Sequence, residues 1–118
     1  MRYYRTKEEI TALVDSFKPE PKHRSQIFGH IQAKHGVTEL GYLTSVVKDS
    51  VWFGNARGEK NNQIDVTGEV LDYIFSSGMF DDAVNQNSLV TVFGSVKNGK
   101  IIEMIAINLS NLAEATES

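Results

Sequence analysis

Asn98-Gly99 stands between two apolar runs, Leu89–Val96 and Lys100–Leu109, and no other feature restricts the fold of this chain as much. Asparagine and glycine tolerate positive φ at both central positions, as a two-residue type I′ hairpin requires. Such a turn sets a register in which Val96 faces Ile101, Val92 faces Ile105 and Val90 faces Ile107. Those pairs are all apolar, so they predict the core face. Alternation then puts Phe93 opposite Met104 on the other face, with Phe93 projecting outward and Ile102 beside Ser95.

Upstream, Leu40–Val47 and Ser50–Phe53 are rich in β-branched and aromatic residues, and Lys48-Asp49 reads as the reversal between them. Gly54–Gln63 is a polar loop with two glycines and three asparagines, long enough to be functional or mobile. Ile64–Phe75 reads as a return to strand, with Val66, Val70 and Ile74 on its core face. Met79, Phe80, Ala83 and Val84 fall at helical spacing within Gly78–Asn87, a short helix packed on the sheet.

The N-terminal part begins with a helix. Thr6-Lys7-Glu8-Glu9 is a capping-box pattern, and Ile10, Leu13, Val14 and Phe17 follow as an apolar stripe. Pro19 and Pro21 end it. Arg24–Lys34 fits two periods: Ile27, Gly29, Ile31 and Ala33 alternate as in a strand, while Ile27, Phe28 and Ile31 fit a helical face. The alternation favours strand.

Three strands, a short helix and two strands form the order of an OB-fold, a mainly β, five-stranded barrel whose helix bridges strands 3 and 4. The whole chain, 1–118, then reads as one domain. Residues 1–22 are a helical extension of it, and residues 113–118, with two glutamates, a loose acidic tail.

Composition narrows the chemistry. Without cysteine there is no disulfide, thiolate zinc site or cysteine nucleophile. His23, His30 and His35 are spaced 7 and 5 apart, so no two share a helical face at the i+4 spacing of a zinc motif. No serine sits in a Gly-x-Ser-x-Gly elbow, and no glycine run forms a phosphate cradle. Asp81 and Asp82 suit a helix start, where the dipole favours negative charge. These absences predict a protein that is not an enzyme and holds neither metal nor cofactor. No apolar signal stretch follows Met1 and no run approaches the roughly 20 residues that span a bilayer, which predicts a soluble, cytoplasmic protein without membrane contact.

The formal charge is −3, unevenly distributed. Basic residues outnumber acidic ones ten to seven through Lys60, and trail two to eight beyond it. A local basic surface is therefore compatible with an acidic total. Binding single-stranded nucleic acid needs aromatic faces for stacking and cations along the phosphates. Tyr42, Trp52, Phe53, Tyr73 and Phe93 are the aromatic candidates. Trp52 and Phe53 are adjacent in a strand, so one is core and the other is not. Lys34, Lys48, Arg57, Lys60, Lys97 and Lys100 are the basic candidates, with Lys97 and Lys100 flanking the hairpin turn. Lys18, Lys22, His23 and Arg24 form a further basic cluster that reads as solvated linker.

Asp72-Tyr73-Ile74-Phe75, the Met79–Val84 helix, Ser88–Val96 and Ile101–Asn108 together resemble the second half of single-stranded-DNA-binding proteins. In that family a strand feeds a short helix, then a strand ending in Gly-x-Val or Gly-x-Leu, then a hairpin. The likeness covers roughly 40 residues and lies in their order. Length, acidic total and compact build further resemble the divergent type found in lactococcal phages. The tail Glu114–Ser118 departs from the bacterial pattern, lacking its aspartate-rich, phenylalanine-ended tip.

The resemblance implies sequence-independent binding of single-stranded DNA in replication or recombination, by a homo-oligomer in the host cell if the chain is phage-encoded. The residues expected to carry it are Lys34, Tyr42, Trp52, Arg57, Lys60, Tyr73, Phe93, Lys97 and Lys100. Recombination or replication proteins are the expected protein partners. The competing class is a small β-barrel interaction module, a phage inhibitor or assembly factor, whose exposed aromatics meet a protein.

Overall fold

A computed structural model describes residues 1–115, with side chains as far as Leu112. The chain opens with a short strand, β1 (Arg2–Tyr4), then helix α1 (Lys7–Ser16). The capping box forms as expected: the Thr6 hydroxyl accepts from the Glu9 amide while the Glu9 carboxylate accepts from the Thr6 amide. Ile10, Leu13, Val14 and Phe17 are all buried.

Residues 24–34 are not a strand. They lie in α2 (Arg24–His35), which Gly36 ends in the left-handed conformation at φ 63°, its amide donating to the Gln32 carbonyl. Of the four alternating residues only Ile27 and Ile31 are buried, four apart, while Gly29 and Ala33 are exposed. Two apolar residues at i and i+4 satisfy both periods, and burial selects the helical one.

Strands β2 (Thr38–Val47) and β3 (Ser50–Gly54) form the expected hairpin through Lys48-Asp49, with Lys48 at φ 54°. Strand β4 (Asn62–Val66) is shorter than the sequence suggests, because Thr67 caps a helix, α3 (Gly68–Ser76), its hydroxyl accepting from the Val70 amide. Val66, Val70 and Ile74 are core residues as expected, but Val70 and Ile74 reach the core from a helix. A π-helical turn, Asp81–Asn85, follows and packs against β2, burying Ala83 behind Met79.

The last hairpin joins β5 (Val90–Lys97) to β6 (Lys100–Asn108), with Asn98 at φ 54° and Gly99 at φ 78°. Lys97 pairs with Lys100 and Val96 with Ile101, as the turn dictates. The register then slips at a bulge. Ser95 pairs with Glu103, so Ile102 is an extra residue on β6, and Phe93 pairs with Ile105, Val92 with Ala106 and Val90 with Asn108. Val96, expected in the core, is 47% exposed, and Met104 lies inside.

The six strands of the described residues form one mixed sheet in the order β1-β6-β4-β3-β2-β5, and β5 also pairs with β6. Pairing therefore runs in a closed circuit from β2 through β3, β4, β6 and β5 back to β2. Its β4–β6 link is parallel, through Asp65–Lys100 and Val66–Ile101. Strand β1 adds to β6 in parallel, Tyr3 opposite Ala106.

Two cores result, one on each side of the β5–β6 hairpin. Val92, Val51, Phe53, Met104 and Ala106 meet Val70 and Ile74 of α3 in the inner one. Phe93, Ile105 and Ile107 face the other way, under α1, α2 and a final helix, α4 (Leu109–Ala115). Helix α4 thus runs into the segment expected to be a loose tail; residues 116–118 lie outside the described residues. No helix among the described residues is long and apolar enough to cross a membrane.

Candidate functional site

Strand alternation separates the two adjacent aromatics of β3, and burial distinguishes them. Phe53 is buried with Val51 in the inner core, and Trp52 turns outward, half-buried, between Ser45 of β2 and Gln63 of β4. Tyr42 of β2 lies opposite Gly54, which shares its face with Trp52, so the two rings occupy one outward row of neighbouring strands. Tyr42 also packs at the margin of the helical core.

The cations divide between the two ends of β3. At its start, Lys48 and Lys100 line one cleft of about 330 Å³ with Asp49, Ser50 and Asp65, and Lys97 lies across the hairpin tip from Lys100. At its far end, Arg57 and Lys60 sit in the exposed loop 55–61. Among the described residues no ion pair engages Lys48, Lys60, Lys97 or Lys100.

The loop is folded onto the sheet. Asn61 donates its amide to the Phe53 carbonyl, and Glu59 lies so close to Gly54 that a Cβ there would collide with its carbonyl oxygen. Arg57 Nε donates to the Asn87 carbonyl at 2.8 Å across thirty positions of sequence. That bond ties the loop to the turn that follows the π-helical segment.

Three residues expected at the site are elsewhere. Phe93 is fully buried, because its outward face is covered by helices rather than open to solvent. Tyr73 belongs to α3, half-buried against the inner core, because the expected strand is a helix. Lys34 belongs to α2, with Nζ 6.0 Å from the centre of the Phe17 ring, and lines a cleft with Arg2, Tyr4 and Glu8.

The most connected polar cluster lies outside that row, and no motif in the sequence singles it out. Asp82 accepts the Tyr3 hydroxyl at 2.5 Å and two bonds from the Arg5 guanidinium, at 2.7 and 2.9 Å. Burial, then the bond to Asp82, pushes the Tyr3 phenol well above its ordinary pKa. The bond from Arg5 to Asp82 raises the guanidinium further. Arg5 lies over Gly78, whose φ of 86° and absent side chain make room for it. This cluster fastens β1 to the π-helical turn. Its signal in the sequence is one aspartate of a pair that a helix start also explains.

The described residues contain no group of three or more histidine, cysteine, aspartate or glutamate side chains placed to hold a metal. His30 stacks on Phe17, centroids 4.7 Å apart and planes 11° from parallel. Compared with known proteins, the chain matches no family model, no curated protein and no solved structure.

Proposed function

We propose that the closed pairing circuit is an OB-fold barrel and that its β2–β3 face binds single-stranded DNA without general sequence preference. The observation that carries this reading is the outward row of Tyr42 and Trp52, with Arg57 and Lys60 at one end and Lys48, Lys97 and Lys100 at the other. Support for the barrel comes from the parallel β4–β6 link and from the placement of α3 and the π-helical turn between β4 and β5.

Stacking accepts any base, because every base has a π-face, and contributes about 1–3 kcal/mol for each base stacked. Phosphates entering at either end meet exposed ammonium or guanidinium groups. Asp49 and Asp65 share the cleft with Lys48 and Lys100, which lowers the positive potential there. Stacking therefore carries the larger part of the affinity. A homo-oligomeric state and a role in replication or recombination belong to the same proposal. Competition between labelled oligo-dT and unlabelled duplex tests it. Duplex competes far more weakly, since its base faces are closed, and equal competition would reduce the site to plain electrostatics.

A second reading has one observation of its own. Phe75 is 51% exposed on α3, with its ring 5.0 Å from that of Phe80, beside the exposed Asp72 and Asp81. An aromatic pair among carboxylates suits a protein partner. If that surface is the functional one, Phe75→Ser abolishes the activity of the protein and Trp52→Ala does not.

A further inference from the structure

The geometry points to the small cavity under the 55–61 loop, next to Tyr42, as a pocket for one unpaired pyrimidine base. The inference rests on the single-strand reading and adds a preference at one position of the bound strand. The cavity measures about 110 Å³ and is lined by Tyr42 and Thr44 of β2, Arg57 of the loop, Val84 of the π-helical turn, and Asn87 and Ser88 before β5.

Size gives the first argument. A protein cavity of about 150 Å³ accommodates benzene. At about 110 Å³ and open at its mouth, this one takes the edge of a single six-membered ring, while the two fused rings of a purine reach farther and would hold the sugar away from the sheet.

The walls give the second. Arg57 uses Nε on the Asn87 carbonyl, which leaves its Nη groups to donate. The Thr44 hydroxyl donates to the Trp52 carbonyl at 3.2 Å, so toward a ligand it can only accept. The side chains of Asn87 and Ser88 make no hydrogen bond among the described residues, and each can both donate and accept. Every pyrimidine has a 2-carbonyl for the guanidinium. In hydrogen bonding, thymine and cytosine differ at ring positions 3 and 4, where groups that both donate and accept serve either base, and the thymine 5-methyl group adds only apolar bulk. The class recognised is therefore pyrimidine rather than thymine alone.

Rigidity gives the third. Gly58 at φ 76° and Asn87 at φ 55° turn the two walls toward each other, and the Arg57–Asn87 bond holds them there. A base leaving the Tyr42 ring enters a cavity formed in advance, which limits the ordering cost of binding.

The test compares full-length wild type with Ser88→Leu, which fills the cavity, using dT, dC and dA oligonucleotides of one length at one salt concentration. Self-stacking of oligo-dA is the same for both proteins, so it cancels in the comparison. Wild type binds dT and dC about equally, and both more tightly than dA. Ser88→Leu lowers the pyrimidine-to-purine ratio about tenfold, the usual discrimination of a pocket too small for part of its ligand, and leaves dA affinity unchanged. Should Ser88→Leu melt far below wild type, Asn87→Gly decides instead, because it keeps the carbonyl that Arg57 needs and suits the positive φ. A ratio that the deciding variant leaves unchanged overturns the pocket and spares the single-strand reading. Absence of binding to all three oligonucleotides overturns the single-strand reading itself.

Discussion

Phe28 of α2 meets Phe93 of β5 edge to face, with ring centroids 5.1 Å apart and planes at 72°. The contact seals the outer side of the β5–β6 hairpin beneath the helices, and it makes Phe93 a fold residue. Replacing Phe93 with alanine is expected to cost about 3–5 kcal/mol of stability, as for other buried phenylalanines. The protein that remains folded keeps its affinity for single strands. Urea melts and oligo-dT titrations on the one variant check both halves.

Salt dependence separates the cations by location. If Lys97 and Lys100 neutralise phosphates, replacing both with alanine makes the plot of log affinity against log salt shallower by about 0.7 for each phosphate no longer neutralised. Lys34→Ala leaves the slope unchanged, because Lys34 lies over Phe17 away from the Trp52 row. Titrations of oligo-dT at several salt concentrations measure both.

Loop position depends on the absence of a side chain at Gly54. A Cβ there would collide with the backbone of Glu59, so Gly54→Ala must displace the 55–61 loop. The expected cost is about 1–3 kcal/mol, the usual range for overpacking. Single-strand binding also weakens, since Arg57 and Lys60 move with the loop. A variant with wild-type melting and wild-type affinity would show that the loop does not need this close approach.

The Tyr3–Asp82 bond predicts a pH effect at the alkaline end. A phenol with a raised pKa in the folded state contributes stability that is complete below its unfolded value of about 10 and is lost as pH rises beyond it. Over that range the unfolded chain ionises while folded Tyr3 stays protonated. Tyr3→Phe should therefore cost about 1 kcal/mol at neutral pH and flatten the loss of stability above a pH of about 10. Asp82→Ala should cost more, about 1.5–3 kcal/mol, because it removes both the acceptor of the buried Tyr3 hydroxyl and the charged partner of Arg5. Melts across the alkaline range decide it.

Local signals are legible in the sequence where one physical cause acts alone. The capping box at Thr6, the turns at Lys48-Asp49 and Asn98-Gly99, and the alternation that puts Trp52 and Phe53 on opposite faces each follow from neighbours in sequence. Ile27 with Ile31, and Val70 with Ile74, mislead because apolar residues four apart also fit a strand. Tyr73, between Val70 and Ile74, follows them into the helix. Beyond the bulge at Ile102 the register escapes any reading of the turn, because β6 must also pair with β4 at Ile101 and with β1 at Ile105. Phe93 does lie on the face that alternation assigns, but the helices that cover this face come from both ends of the chain. The cavity beside Tyr42 is hidden from sequence for the same kind of reason, since Arg57 and Asn87 meet only in three dimensions.

Trp52 is the one tryptophan of the chain, and it lies in the row that carries the proposed function. Its intrinsic fluorescence, followed while oligo-dT is added and then while duplex of the same length is added, tests the central claim directly. The account predicts saturable quenching by oligo-dT, little change with duplex, and a Trp52→Ala variant that melts near wild type but loses about 1–3 kcal/mol of affinity in a label-based assay. Fluorescence unchanged by oligo-dT, with Trp52→Ala binding as wild type does, would contradict it.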